Sequence, residues 1–226
     1  ELVATVRNDS PSRKGCMTAY HRFGGFYRDI ELEATPPVWI DDVWVQSDIE
    51  KPAALVNINI KGGGNSALEN AAVDIQVKSA DGAVAGNFRQ AVSLEESGTD
   101  LTCEVPLPRA QRWTPESPIL YEAEVTLLEG DSPVHGWNER FGLRKLEVRG
   151  DRFFLNGTPF LARGYGDDYI YPLTLISPPD REAHLNHLLA AKQAGFNYVR
   201  LHTHCEIPEY FEAADEAGIL LQPELP

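Results

Sequence analysis

Between Asp151 and Pro226 the chain alternates short strand-like runs with helix-like ones, and this alternation limits the fold more than any other feature. Strands are predicted over Phe160–Arg163, Tyr198–Leu201 and Ile219–Gln222, and helices over Asp180–Ala194 and Pro208–Ala217. That order is the mark of βαβα units around a parallel sheet. In such sheets the chemistry sits at the C-terminal edge of the strands. The long stretch Gly164–Pro179 is predicted as the loop after the first strand, and loops of that length are commonly functional. It carries Tyr165, Asp167, Asp168, Tyr169 and Tyr171, aromatic and acidic groups of the kind that can stack on and hydrogen-bond a ligand.

Local signals set the boundaries of this region. Asp180 suits a helix N-cap after Pro178-Pro179, Glu182 the first turn, Leu185, Leu188 and Leu189 one helical face, and Gly195 the stop. His184 and His187, three apart on that helix, are expected to be solvated and not to be metal ligands. Asn156-Gly157 between the apolar runs Phe153–Leu155 and Pro159–Leu161 predicts a tight hairpin, because both central positions of that turn need positive φ.

From Val38 to Leu146 the pattern is all-β. Val56, Ile58 and Ile60 alternate with Asn57 and Asn59, and Val73, Ile75 and Val77 with Asp74 and Gln76. Leu101, Cys103, Val105 and Leu107 share one parity, as do Tyr121, Ala123, Val125 and Leu127. Gly62-Gly63-Gly64 and Asp81-Gly82 mark turns. About seven short strands at this spacing predict an immunoglobulin-like sandwich. Trp113 is expected to pack beneath a loop. Asn138-Glu139 is expected on a solvated strand face.

Composition excludes several function classes. With 34 acidic against 20 basic residues, the formal net charge of -14 disfavours nucleic acid or an anionic membrane as partner. No apolar run approaches the ~20 residues of a membrane span, and the compartment is left open. Cys16, Cys103 and Cys205 form no CxxC or zinc spacing and are read as free thiols. No cofactor is called for, and a zinc site built on His202, His204 and Glu206 is only an alternative, since no further ligand set is visible.

Six short motifs occur in one order: Gly24-Gly25 with Tyr27-Arg28-Asp29-Ile30, Phe141-Gly142-Leu143-Arg144, Leu155–Pro159, Ala162-Arg163-Gly164, Asn197–Leu201 and Ala214–Gly218. Together they resemble glycoside hydrolase family 2, the group of β-galactosidases, β-glucuronidases and β-mannosidases. The resemblance implies a mixed, multidomain chain. Residues 1–37 would be the end of a jelly-roll sugar-binding-like domain, with strands at Glu1–Arg7 and Phe26–Leu32. Residues 38–146 would be the immunoglobulin-like sandwich, and 147–226 the first βα units, strands one to three, of a TIM (β/α)8 barrel.

The implied function is hydrolysis of β-glycosides with retention, and the implied partner is a carbohydrate. Arg200 matches an Arg that orients the catalytic carboxylates. The family usually continues Arg-x-Ser-His-Tyr-Pro, whereas His202, Thr203 and His204 follow here. The sugar-contacting histidine is therefore His202 or His204, with His202 the first choice. Asp167, Asp168 and Tyr165 complete the candidate set, and Glu224 is expected to support the rim. Sugar and linkage stay unassigned, because Gly164 is followed by Tyr165-Gly166-Asp167-Asp168 where many members have Asn and His. Nucleophile and acid/base are expected beyond Pro226, so this chain alone is expected to be inactive. Three barrel strands would leave an open sheet edge, expected to be masked by self-association or by a disordered or rearranged C-terminal part. A non-catalytic carbohydrate-binding or scaffolding sandwich is the alternative function.

Overall fold

The alternation between Val38 and Phe141 builds seven strands, most of which bury one side. In a computed structural model that describes residues 3–5, 26, 28–62, 68–95 and 97–225, these are β1 (Val38–Asp48), β2 (Ala53–Gly62), β3 (Ala71–Ser79), β4 (Val84–Ala91), β5 (Thr99–Pro106), β6 (Tyr121–Glu129) and β7 (Ser132–Phe141). They pair antiparallel into two sheets, β1-β2-β5 and β4-β3-β6-β7. The expected inward sets meet in one core that includes Val56, Ile58, Ile60, Val73, Ile75, Val77, Cys103, Val105 and Leu107. This is the β-sandwich expected from period-two patterning.

Trp113 is fully buried, as expected, and Arg144 lies over its ring at 4.7 Å. Asn138 is exposed on β7. Of the turn signals, Asp81-Gly82 forms the β3–β4 turn, with Gly82 at φ 82 and Ser79 N–H bonded to Ala83 O at 2.9 Å. Gly63 and Gly64 lie outside the described residues, as does Cys16. Cys103 and Cys205 are free thiols.

The hairpin forms where expected. After β8 (Leu146–Arg149), β9 (Arg152–Leu155) and β10 (Thr158–Phe160) turn at Asn156 (φ 52) and Gly157 (φ 82). Asn156 does more than tolerate a left-handed backbone. Its Oδ1 accepts Lys145 N–H at 3.0 Å and its Nδ2 donates to Trp113 O at 2.9 Å, so the turn is bonded to the loop that buries the tryptophan.

Residues 33–160 form one compact unit, and residues 161–226 with 1–32 form another. The second unit contains β11 (Gly164–Asp167), α1 (Arg181–Gln193), β12 (Tyr198–Leu201), α2 (Pro208–Ala217) and β13 (Leu220–Pro223), with the three strands parallel in the order β11-β12-β13. Val199 and Leu201 of β12 pack with Leu188 of α1 and with Tyr210, Ala213, Ala214 and Ala217 of α2. As read, α1 is capped by Asp180, whose side chain accepts Glu182 N–H, and stops before Gly195 at φ 92; α2 ends at Gly218, at φ 74.

Three expectations are corrected. The first strand lies four residues later than Phe160–Arg163. Phe160 is taken by the hairpin, and Gly164–Asp167 pairs with Tyr198–Leu201, so Tyr165 and Asp167 are strand residues and not loop residues. Second, Leu185 and Leu188 of the expected stripe pack inward, but α1 turns His184 inward beside them while Leu189 is 38% exposed, so His184 is not solvated. Third, no strand forms among the described residues of 26–32, where Ile30 and Leu32 are exposed; a lone strand without a sheet buries too little. Most of Glu1–Arg7 lies outside the described residues. Arg28 nevertheless forms an ion pair with Glu209 of α2.

The β11–β12 register leaves no room beside Gly164. A Cβ there would lie 2.1 Å from Tyr198 Cδ1 and 2.8 Å from Tyr198 O, a backbone atom whose position the ladder fixes. Gly164→Ala is therefore expected to destabilise this unit by about 1–3 kcal/mol. The effect should be read as faster amide exchange at Val199 and Leu201; unchanged exchange would contradict this register.

Candidate functional site

The register sorts the side chains of the parallel sheet onto two faces. Val199 and Leu201 face the helices, so their partners Tyr165 and Asp167 do too, while Gly164, Gly166, Tyr198 and Arg200 occupy the opposite face. Arg200 therefore points away from the helices. Its Nε donates to Glu224 Oε1 at 2.6 Å. Glu224 Oε2 also accepts Thr203 N–H at 2.8 Å, and Glu224 N–H donates to His204 O at 3.1 Å. The Thr203 amide and then the Arg200 guanidinium hold the Glu224 carboxyl below its usual range. Thr203 is at φ 59, an uncommon conformation for a β-branched residue, and these bonds to Glu224 hold it there.

A second polar pair stands at the same strand edge. His202 Nδ1 lies 2.8 Å from Asp168 Oδ1, which requires that the proton be on Nδ1 when the acid is ionised, and both side chains are about half exposed. His204, two residues on, is buried. Its Nδ1 donates to His202 O at 2.9 Å, and Tyr169, at φ 58, packs its ring 5.0 Å from the imidazole. Of the six candidates, Arg200, His202 and Asp168 thus share the strand edge, and His204 lies beneath it. Tyr165 and Asp167 lie on the helix side. Tyr165 Oη bonds His187 Nε2 at 2.7 Å, and its ring meets Phe196 edge-on. Burial and the Asp167 charge push the Tyr165 phenol up to about 12. Asp167 accepts Tyr169 N–H at 2.9 Å and Tyr210 Oη–H at 3.3 Å. A cavity of about 480 Å³ opens on that helix side, lined among others by Tyr165, Asp167, Tyr171, His184, His187 and Tyr210.

Sequence reasoning passed over Glu206 except as a zinc alternative. Among the described residues no group of three or more His, Cys, Asp or Glu is arranged to hold a metal. Glu206 is instead a buried acceptor. Tyr171 Oη donates to Oε1 at 2.5 Å, Ser177 Oγ to Oε2 at 2.7 Å and Ile207 N–H to Oε2 at 3.2 Å. His204 Nε2 stands 3.7 Å from Oε1, too long for a hydrogen bond but within ion-pair reach. Burial opposes the charge on each. The imidazolium with its donors nevertheless brings Glu206 below its usual 4.5, and the carboxylate brings His204 above its usual 6.5.

Comparison with known proteins bears on what this edge belongs to. Residues 38–144 match the family model described as glycosyl hydrolases family 2. These residues, a little under half of the chain, carry its likeness to glycoside hydrolase family 2. The β-galactosidase of Thermoanaerobacter pseudethanolicus is 25% identical over 233 residues, covering 100% of this chain and 31% of that protein. The β-glucuronidase of Rattus norvegicus is 28% identical over 152 residues, 64% of this chain and 21% of that protein. The chain thus spans less than a third of the length of either relative. In fold it is similar to the Bacteroides uniformis β-glucuronidase, with a TM-score of 0.77 at 24% identity over 97% of this chain and 27% of that one. It is equally similar to a family 2 member from Bacteroides cellulosilyticus, with a TM-score of 0.77 at 20% identity over 84% of this chain and 25% of that one.

The opposed shifts of His204 and Glu206 predict a bounded stability window. Glu206, lowered in the fold, contributes stability that is present above about pH 4.5 and lost as pH falls through its folded value. His204, raised in the fold, contributes stability that is full below about pH 6.5 and lost as pH rises through its folded value. Protection of the Leu201 amide, followed from pH 3 to 9, should be greatest between these limits; a profile that keeps rising above pH 7 would contradict the charged pair.

Proposed function

We propose that this chain is part of a retaining β-glycosidase, and that the edge bearing Arg200, His202 and Asp168 forms one wall of its sugar site. The observation that supports this best is the order of parts: a family 2 sandwich, then parallel strands whose C-terminal edge gathers paired charged groups. In this reading β11, β12 and β13 are the first three strands of a (β/α)8 barrel, with the domains dividing at 1–37, 38–146 and 147–226. The first of these is the end of a jelly-roll domain. The names of the relatives fit a β-glycoside as substrate.

Retaining hydrolysis needs two carboxyl groups ~5 Å apart, one attacking the anomeric carbon and one protonating the departing oxygen and later activating water. In the proposed assignment both come from later strands than β13. Arg200 supplies fixed positive charge beside them, pre-oriented by Glu224, and forms no bond to substrate carbon. Asp168 and His202 bond sugar hydroxyls, as acceptor and donor. His204, buried beneath them, supports the edge without touching sugar, and Tyr165 and Asp167 hold the sheet to α1 and α2.

Hydrolysis of 4-nitrophenyl β-galactoside and β-glucuronide tests the reading. The complete protein should hydrolyse at least one of them, and Arg200→Ala in it should lower kcat/KM by on the order of 100-fold. The 226-residue chain should hydrolyse neither. Activity of this chain alone, or an inactive complete protein, would overturn the assignment. In the same preparations, sedimentation of the isolated chain that rises with concentration would support self-association through the free edges of β11 and β13.

A further inference from the structure

Glu206 lies in the loop after β12, and the two hydroxyls it accepts come from the loop after β11, at Tyr171 and Ser177. One carboxylate therefore ties two loops that leave the same edge of the sheet. Burying it without partners would be strongly unfavourable, and removing any donor leaves the others unable to compensate. The segment it pins is held by no strand ladder among the described residues. Leu175 N–H donates to Tyr171 O at 2.7 Å, Thr174 Oγ1 donates to Ile176 O at 2.6 Å, and Leu173 is almost wholly exposed. The same segment begins with Asp168, the partner of His202. On its other side Glu206 faces His204, whose Nδ1–H holds the carbonyl of His202. Both members of the exposed pair are thus reached from one buried acid, Asp168 through Tyr171 and Ser177, and His202 through His204.

We propose that Glu206 is a positioning residue for the sugar-binding wall, fixing Asp168 and His202 relative to each other from beneath by joining the two strand-edge loops. It touches no substrate. The proposal rests on the glycosidase reading only for the identity of the ligand; the positioning itself is a property of this chain. The charged and titratable groups facing the buried pair are Tyr171, His184 and Asp167, with Tyr169 and Tyr210 against them.

The test uses the 226-residue chain labelled with 15N, as wild type, Glu206→Gln and Tyr171→Phe. Glutamine keeps the size and can still accept, but it loses the charge. Tyr171→Phe keeps the charge and removes one tie, so it remains informative if Glu206→Gln fails to fold. Amide exchange across 168–176 should quicken by about tenfold or more in both variants, the loss expected for a hydrogen bond to a charged group. The His204 ring should titrate lower in Glu206→Gln and stay raised in Tyr171→Phe. The ring nitrogen resonances of His202 should move in both, a change that loss of general stability would not produce. Unchanged loop exchange and unchanged His202 resonances in the folded variants would overturn the proposal. If the complete protein proves not to be a glycosidase while these shifts occur, the positioning stands and the ligand assignment falls.

Discussion

The pairing of β11 with β12 is the constraint on which the rest of this unit depends, and a single buried asparagine sets it. Asn197 Oδ1 accepts Arg163 N–H at 2.8 Å, its Nδ2 donates to Leu161 O at 3.1 Å, and its own N–H donates to Arg163 O at 2.9 Å. Its carbonyl accepts Leu220 N–H at 3.0 Å, so the entries to all three strands are fixed by one residue. Because side chains alternate along a strand, a slip of one residue would exchange the faces. If β12 slipped, Arg200 would turn into the helices; if β11 slipped, Tyr165 and Asp167 would turn to the face that Arg200 now occupies. The close approach of Gly164 to Tyr198 makes the observed register the one that fits.

The ion pairs on this sheet differ in what they do. Arg200–Glu224 and His202–Asp168 are open to solvent, and pairs of that kind contribute little to stability. Their value lies in geometry and charge at the strand edge, where Glu224 also holds Thr203 in its uncommon conformation. Glu206 and His204 are nearly without solvent, and buried pairs are weak evidence for net stabilisation, since desolvation offsets attraction. What the buried acid supplies is a fixed relation between loops that otherwise share no ladder. The cavity is lined by Asp168 of this edge as well as by Tyr165, Tyr171 and Tyr210, and burial holds the phenols of Tyr171 and Tyr210 protonated well above their usual range.

Where burial follows a local period, the sequence was legible. The strands of the sandwich, the bounds of β12 and α2, the Asn156-Gly157 turn and the cap at Asp180 all follow from neighbours within a few residues. Gly-Tyr-Gly-Asp has little strand propensity of its own and becomes β11 only through its partner. A histidine reads as polar, yet the Nε2–H of His184 finds Pro178 O at 2.8 Å and its ring finds Tyr210. Glu206 carried no signal, since an isolated acid normally reads as surface and its hydroxyl partners lie 29 and 35 residues away. Of the candidate site, the sequence pointed to the edge but not to what supports it.

The location of the sugar tests the central claim most directly. A crystal structure of the complete protein with a non-hydrolysable β-glycoside should place the sugar ring at the C-terminal edge of the parallel strands, with Asp168 or His202 within hydrogen-bond distance of its hydroxyls and Arg200 on the same side. A glycoside bound instead against His184, His187 and Tyr210 without contact to Asp168 or His202, or on the sandwich alone, would contradict the account.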